Sequence, residues 1–394
     1  MHQRRLVVLG SSGSIGRQAL AVAERHPDRL RVVGLAVGGD LQTLCAQSRE
    51  LHPQAVAIER PSDPEGARSA LRGAAGGAHV HVGEGAAAEL VRATEAEVVL
   101  NGIVGAAGLA ASLAALERGC RLALANKETL VVAGPLVRAA LREKGELIPV
   151  DSEHSAALQC LGRHRWEEVE RLVITASGGA LRDHPDWRRA TRAEVLAHPV
   201  WAMGPRITVD SALLFNKGLE LTEAHWLFDL PWERLGALLH PQALVHAWVA
   251  FRDGSATLQA ARPDMALPIQ LALSWPERWS EAAPPLDPAS LAGLTFAPIE
   301  AGRYPAFDLA LAAGRAGGTA PCAVNAADEV AVEAFLAGAI PIGGIPEVLA
   351  RVLEAHVPEA VESLEQLAVV DRQARARARG AVAETAAAAG RGAP

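Results

Sequence analysis

The sequence predicts an α/β fold: a doubly wound, mostly parallel sheet at the N-terminus, a central α+β domain, and a C-terminal helical bundle. Three observations carry that prediction. From residue 5 to about 150, short β-branched runs alternate with helical stretches, the pattern of βαβ units. After residue 151 the text changes to β-rich runs around Asp253-Gly254, a hairpin signal. Beyond residue 303 it is helical in pattern. At 394 residues the chain is long enough for two or three domains.

The elements follow in order. "RLVVL" (5–9) leads to a helix over 15–26, and "LRVVGLAV" (30–37) to a helix over 41–51. "QAVAIE", "AHVHV", "AEVVLNGIV", "CRLALAN" and "GELIPV" continue the strand series and complete a first domain, 1–150. The second domain, 151–285, opens on a helix at "DSEH" and continues with the strand "RLVITAS". A long polar stretch, a lid loop over about 180–204, precedes one helix over 211–228 and the hairpin "ALVHAWVAF"/"SATLQAA". A small, largely antiparallel sheet with an exposed edge suited to dimerisation is expected there. Pro- and Ala-rich text over 286–302 reads as a linker, and 303–394 as a helical bundle ending in a frayed tail.

Composition excludes several classes. Net charge is −7 with no long basic run, which argues against nucleic acid as a partner. The four cysteines are far apart and lack metal-type spacing, as expected of buried, reduced thiols in a cytoplasmic protein. The apolar run before the first glycine is too short for a signal peptide. Residues 98–116 carry no charge, but Asn101, Gly102, Gly105 and Gly108 fit a strand, a glycine turn and a packed helix better than a membrane span.

"LGSSGSIG" sets Gly10, Gly13 and Gly16 between the first strand and the first helix, where backbone amides can meet a phosphate. In a βαβ context this reads as a Rossmann-like nucleotide site. At the end of the second strand stand Gly38, Gly39 and Asp40; an acid there normally meets the ribose of NAD, or else simply caps the next helix. "LANKETL" places Asn126, Lys127 and Glu128 at a strand's carboxyl end. "LIPVDSEHSA" brings Asp151, Glu153 and His154 together, either as helix-start chemistry or as half of a metal site. In "VDSALLFNKGLE", Asn216 and Lys217 each lie one helical turn from Glu220, either as a surface pair or, with Ser211, as phosphate-type donors. "HPVWAMG" could close over a bound ring.

Together "GSSGSIG", "ANKETL", "PVDSEHSA", "TASGGA", "HPVWAMG", "ITVDSALLFNKGLE", "PDMALPIQLAL" and "VNAADEVAVEAFL" stand in the order and spacing of one family. The sequence resembles the 1-deoxy-D-xylulose 5-phosphate reductoisomerases from its first strand to its C-terminal helices. The resemblance implies rearrangement and NADPH-dependent reduction of this phosphorylated sugar to 2-C-methyl-D-erythritol 4-phosphate in the non-mevalonate isoprenoid pathway, by a cytoplasmic homodimer without nucleic-acid or membrane partners. By motif match, Asp151, Glu153 and Glu220 correspond to ligands of Mg²⁺ or Mn²⁺, a choice that three carboxylates without thiolate also favour. Lys127 and Ser152 match substrate contacts near the reacting oxygens. Ser177, Ser211, Asn216 and Lys217 match the phosphate pocket, and His198 a lid contact. Ser12, Gly13, Ser14, Ile15, Gly38, Asn126, Glu128 and Gly204 match cofactor contacts, with Gly39 and Asp40 beside them.

The chain departs from the family at a few positions. Ser12 stands for the usual Thr, Val200 for a frequent Asn, and Gly38-Gly39-Asp40 for Gly-Lys-Asn or Gly-Arg-Asn at the 2′-phosphate site. The rival reading is another nicotinamide-dependent dehydrogenase, acting on a phosphorylated polyol or semialdehyde, which gives no reason for three carboxylates spread between two elements. A nucleotide-sensing regulator would need a basic DNA-reading element that the sequence lacks.

Overall fold

The computed structural model describes residues 2–143 and 145–391. They divide into two compact units: one built from residues up to 129, 136–158 and 264–284, the other from 130–135, 159–263 and the chain from 285 onward.

The first unit holds seven strands among the described residues: β1 (Arg4–Leu9), β2 (Leu30–Val37), β3 (Ala55–Ile58), β4 (His79–Val82), β5 (Val98–Asn101), β6 (Arg121–Leu124) and β7 (Glu146–Pro149). All neighbours pair in parallel, in the order β4-β3-β2-β1-β5-β6-β7. Helices α1 (Ser14–Arg25), α2 (Leu41–Leu51), α3 (Pro64–Ala74), α4 (Ala86–Ala93), α5 (Leu109–Glu117) and α6 (Glu128–Glu143) alternate with them. Central strands are apolar on both faces because helices cover both, and Leu6 to Leu9 and Ala55 to Ile58 are fully buried. Strand order reverses between β1 and β5, which opens a crevice at their carboxyl ends, the usual ligand position in such sheets.

The uncharged run 98–116 divides as expected into β5, a turn and α5. No helix among the described residues is long and apolar enough to cross a membrane. All four cysteines are free and buried, and burial pushes the Cys160 thiol to about 11 and the Cys322 thiol to about 12.

Helix α7 (Ser152–Leu161) starts at "SEHS", directly after the β7 strand and Val150-Asp151. In the second unit follow β8 (Val169–Ala176), α8 (Arg192–Leu196), α9 (Pro205–Ala212), α10 (Phe215–Phe228), β9 (Leu235–Leu239), β10 (Val245–Phe251) and β11 (Ala256–Ala260). The hairpin β10–β11 is antiparallel, and its turn places Gly254 at φ 88° while Asp253 accepts from the Ser255 amide at 2.9 Å.

Four features differ from the sequence expectation. The helix expected over 211–228 is two, because Leu214 takes a left-handed conformation (φ 53°); the break lets Leu213 and Leu214 both enter the core, at 3% and 2% exposure. The polar stretch 178–204 contains α8, which begins with a Thr191/Glu194 capping box. "PDMALPIQLAL" belongs to the first unit. Its helix α11 (Ala266–Ser274) is buried from Pro268 on, and Arg4 and Arg121 reach the carbonyls of Leu273 and Trp275 at 2.9 and 2.6 Å. The linker text contributes β12 (Ala297–Pro298), so the second sheet runs β11-β10-β8-β9-β12, with only β8 and β9 parallel.

The C-terminal helices are α12 (Pro305–Ala316), α13 (Ala320–Leu336), α14 (Gly344–Glu354) and α15 (Leu364–Arg391). The tail expected to fray is helical to Arg391, with Ala381 and Thr385 buried; residues 392–394 lie outside the described residues.

Candidate active site

In the first unit the glycine loop is shaped by close backbone approach. Gly10 has φ +78°, and a Cβ there would stand 2.8 Å from the Gly102 carbonyl oxygen. At Gly16 a Cβ would stand 2.2 Å from the Gly10 oxygen, so only glycine lets α1 sit on the loop. Gly13 is the N-cap of α1 and supplies no side-chain cap, which leaves the first amides, around Ser12, Ser14 and Ile15, available to an anion. A contact that sequence reasoning missed holds this loop: buried Ser11 donates to Gln47 at 2.7 Å, and Gln47 returns a bond to the Ser11 carbonyl at 3.0 Å. Its only signal was the polar pair itself, 36 residues apart.

At the end of β2, Gly38 and Gly39 precede Asp40, whose carboxylate accepts from the Thr43 amide at 3.0 Å. The Thr43 hydrogen bonds hold that carboxyl below its ordinary range, so Asp40 performs the capping role. Across the switch point, Asn126 donates to the carbonyls of Ile103 and Gly105 at 2.7 and 2.9 Å and to Glu128 at 3.0 Å. Glu128 in turn accepts from the Gly105 amide at 3.2 Å. These two buried side chains therefore fix the loop after β5.

Lys127 lies between them in sequence and reaches Asp151 at 3.0 Å, with both side chains largely buried. Asp151 and Glu153 present carboxylate oxygens within 4.8 Å of one another. Ser152 donates to Glu153 at 2.5 Å, and the fully buried His154 stands 3.8 Å from Asp151. "DSEH" is thus both a helix start and a cluster of hard oxygen donors.

In the second unit, Asn216 and Lys217 occupy the first turn of α10, and each donates to one oxygen of Glu220. With Lys217 and Glu220 at 4% and 1% exposure, the surface-pair reading fails. Gly179 (φ +66°) brings the "TASGG" loop onto the end of α9: a Cβ there would lie 2.4 Å from the Ser211 carbonyl oxygen. Gly204 is the N-cap of α9.

Ser177 and His198 meet across 3.1 Å. His198 Nδ1 accepts from the amides of Val200 and Trp201 at 3.1 and 2.8 Å, so the proton of the neutral ring sits on Nε2 and is donated to Ser177. The Ser177 oxygen also accepts from the Gly179 amide at 3.2 Å. Both its lone pairs are then used, and its own O–H remains a donor. Burial holds the His198 imidazole below its ordinary pKa, in keeping with a neutral ring.

Sequence reasoning also missed a charged cluster behind Ser211. Arg206 reaches Glu329 at 3.0 Å and Asp328 at 3.7 Å, and Asp210 and Asp328 are both buried. Burial and then the neighbouring Asp210 hold the Asp328 carboxyl well above its ordinary range.

A glycine cradle at the switch point of a doubly wound parallel sheet, with hard carboxylate donors after β7, defines a nucleotide-binding type of α/β protein. Comparison with known proteins narrows the class. The family model 1-deoxy-D-xylulose 5-phosphate reductoisomerase matches residues 6–134, and the family's two C-terminal domain models match 147–228 and 260–377. Reductoisomerases from Kitasatospora griseola and Beutenbergia cavernae are 46% and 47% identical, covering 95% and 98% of this chain and 99% and 98% of their own lengths. The solved Zymomonas mobilis enzyme in complex with NADPH is similar at TM-score 0.89 and 37% identity, over 97% of this chain and 99% of its own. A reductoisomerase complex with NADPH, fosmidomycin and magnesium gives TM-score 0.90 at 34% identity, over 96% and 98%. The chain belongs to the 1-deoxy-D-xylulose 5-phosphate reductoisomerase family.

Proposed function

We propose that this chain converts 1-deoxy-D-xylulose 5-phosphate to 2-C-methyl-D-erythritol 4-phosphate with NADPH and a divalent metal, a step of the non-mevalonate route to isoprenoids. The observation that carries the reading is full-length likeness to a reductoisomerase solved with NADPH, fosmidomycin and magnesium.

The residues fit both groups. The α1 amides and the glycine loop suit a pyrophosphate, with Ser12, Gly13, Ser14, Ile15, Gly38, Gly39, Asp40, Asn126, Glu128 and Gly204 as the cofactor set. Asp151, Glu153 and Glu220 form the proposed metal set, all carboxylate oxygen donors that suit Mg²⁺ or Mn²⁺. When bound, the cation supplies Lewis acidity at the substrate's carbonyl and hydroxyl oxygens. Lys127, held against Asp151, donates to a substrate oxygen, and Ser152 orients beside it. Ser177, Ser211, Asn216 and Lys217 take the phosphate, while His198 fixes the Ser177 hydroxyl and excludes water as its loop closes.

The same reading assigns cofactor binding to 1–150, catalysis and dimerisation to 151–285 apart from 264–284, which belong to the first unit, and a helical domain to 303–394. A cytoplasmic homodimer would use the exposed edge strand β11, where Leu258 is 43% exposed. A coupled assay tests the function: NADPH oxidation should require both deoxyxylulose phosphate and Mg²⁺ or Mn²⁺, and should stop on chelation. Full turnover in metal-free buffer would overturn it in favour of a polyol-phosphate or semialdehyde dehydrogenase.

A further inference from the structure

We infer that Arg60, at the end of β3, is the residue of this chain that reads the adenosine 2′-phosphate, in place of a basic residue at the end of β2. The inference rests on the NADPH reading above. In nucleotide-binding sheets of this type the end of β2 meets the adenosine ribose, and an arginine nearby accommodates the 2′-phosphate. Here that strand end is Gly38-Gly39-Asp40, with no cation of its own.

Arg60 is fastened to the same spot. Its amide donates to the Gly38 carbonyl at 2.7 Å, which continues the β2–β3 ladder one step past the sheet. Its guanidinium Nη2 lies 3.7 Å from the point where a Cβ on Gly38 would stand. At Gly39 a Cβ would come within 3.1 Å of the Arg60 carbonyl oxygen. The absence of side chains at 38 and 39 therefore leaves room for the β3 end, and for its arginine, to lie against this turn.

The surrounding charges leave that guanidinium to a ligand. Arg60 is exposed, and its side chain makes no hydrogen bond or ion pair with any described residue. Its neighbour Glu59 is engaged elsewhere, accepting from the amides of Gly85 and Ala87 at 2.9 and 2.7 Å. Asp40, the acid that would repel a phosphate, is committed to the Thr43 amide. Arg17, on α1, donates to the Ser12 carbonyl at 2.8 Å and its charge also acts on Asp40, offsetting that acid further. A planar fork of donors aimed at a dianion is the geometry in which arginine outperforms lysine.

The test is nucleotide affinity by isothermal titration, on the full chain without substrate, for wild type, Arg60→Ala and Arg60→Lys with NADPH, NADH and 2′,5′-ADP. Arg60→Ala should weaken NADPH and 2′,5′-ADP by about ten- to a hundredfold, the loss expected for charge-assisted hydrogen bonds, and leave NADH within about twofold. Arg60→Lys should recover part of the lost affinity, and the salt dependence of NADPH binding should flatten in Arg60→Ala. Unchanged NADPH affinity in Arg60→Ala, or an equal loss for NADPH and NADH, overturns the assignment while the cofactor reading stands. A wild type that binds NADH as tightly as NADPH overturns both.

Discussion

His198 gives a prediction that can be followed from proton to loop. Its Nδ1 accepts from the Val200 and Trp201 amides, so protonation there replaces two attractive contacts with two opposed donors. The two share the single Nδ1 lone pair, so together they hold the 198–201 turn by about 0.5–1.5 kcal/mol, the range of one hydrogen bond. Burial already depresses the folded-state pKa, so the folded protein binds the proton less readily than the unfolded chain. The stabilisation is thus fully present above the ordinary imidazole value of 6.5 and is lost as pH falls through the lower folded value. Below that value the Ser177 hydroxyl also loses its fixed orientation, because the turn that presents His198 to it has loosened. Selective ¹⁵N-histidine labelling followed from pH 8 to pH 5 reads both ring nitrogens. The expected result is a neutral ring protonated on Nε2 at pH 7, titrating below the ordinary value, with KM for the phosphorylated substrate rising as it titrates. A ring protonated on Nδ1 at neutral pH, or a midpoint at or above the ordinary value, refutes the reasoning.

Two further outcomes follow from buried charge. Glu220→Gln removes the carboxylate that accepts from both Asn216 and Lys217; turnover should fall to background, circular dichroism should keep the wild-type shape, and stability should drop by about 3–5 kcal/mol, as for a broken buried pair. Near-normal turnover would exclude Glu220 from the metal set. Asp328→Asn replaces a carboxyl whose pKa burial and Asp210 raise, so the wild-type contribution is present at low pH and lost as pH rises through the folded value. Urea midpoints followed upward from pH 4 should diverge in favour of the variant as pH rises above the ordinary carboxyl value of 3.8, and curves parallel throughout would count against a raised Asp328.

Local pattern made the first unit legible. Apart from the edge strand β4 ("HVHV"), its strands are short, mainly apolar runs bounded by a helix or a glycine, and both signals act within a few residues. The hairpin at Asp253-Gly254 was legible for the same reason. Three features lay beyond local pattern. Leu214 carries no turn signal, and its left-handed backbone follows from burying two consecutive leucines. The two-residue strand β12 exists only because β9 offers it an edge. The return of 264–284 to the first unit depends on Arg4 and Arg121 meeting the far end of α11, a contact between segments about 270 and 150 residues apart. At the candidate site the acids and phosphate-type donors could be named from their motifs. The cap alternative for Asp40 was already open in the sequence; what the motifs could not show was that Asn126 and Glu128 brace a loop and that His198 meets Ser177.

The break at Leu214 also explains why the C-terminal helices bear on chemistry they do not perform. Ser211 closes α9 and Asn216 and Lys217 open α10, so their relative placement depends on how each helix is anchored rather than on a continuous helical repeat. α10 is anchored by close approach: at Gly218 a Cβ would stand 2.5 Å from the Ala310 Cβ of α12. α9 is anchored by charge through Arg206, which pairs with Glu329 of α13 at 3.0 Å, and Glu329 is held in turn by Arg375 of α15 at 2.5 Å. Removing the C-terminal helices would therefore strip both supports, leaving the phosphate-type donors in sequence but not in register. The "VNAADEV" segment thus bears on "VDSALLFNKGLE" through contact: Asn325 and Glu329 meet Arg206, one turn before the Asp210-Ser211 step.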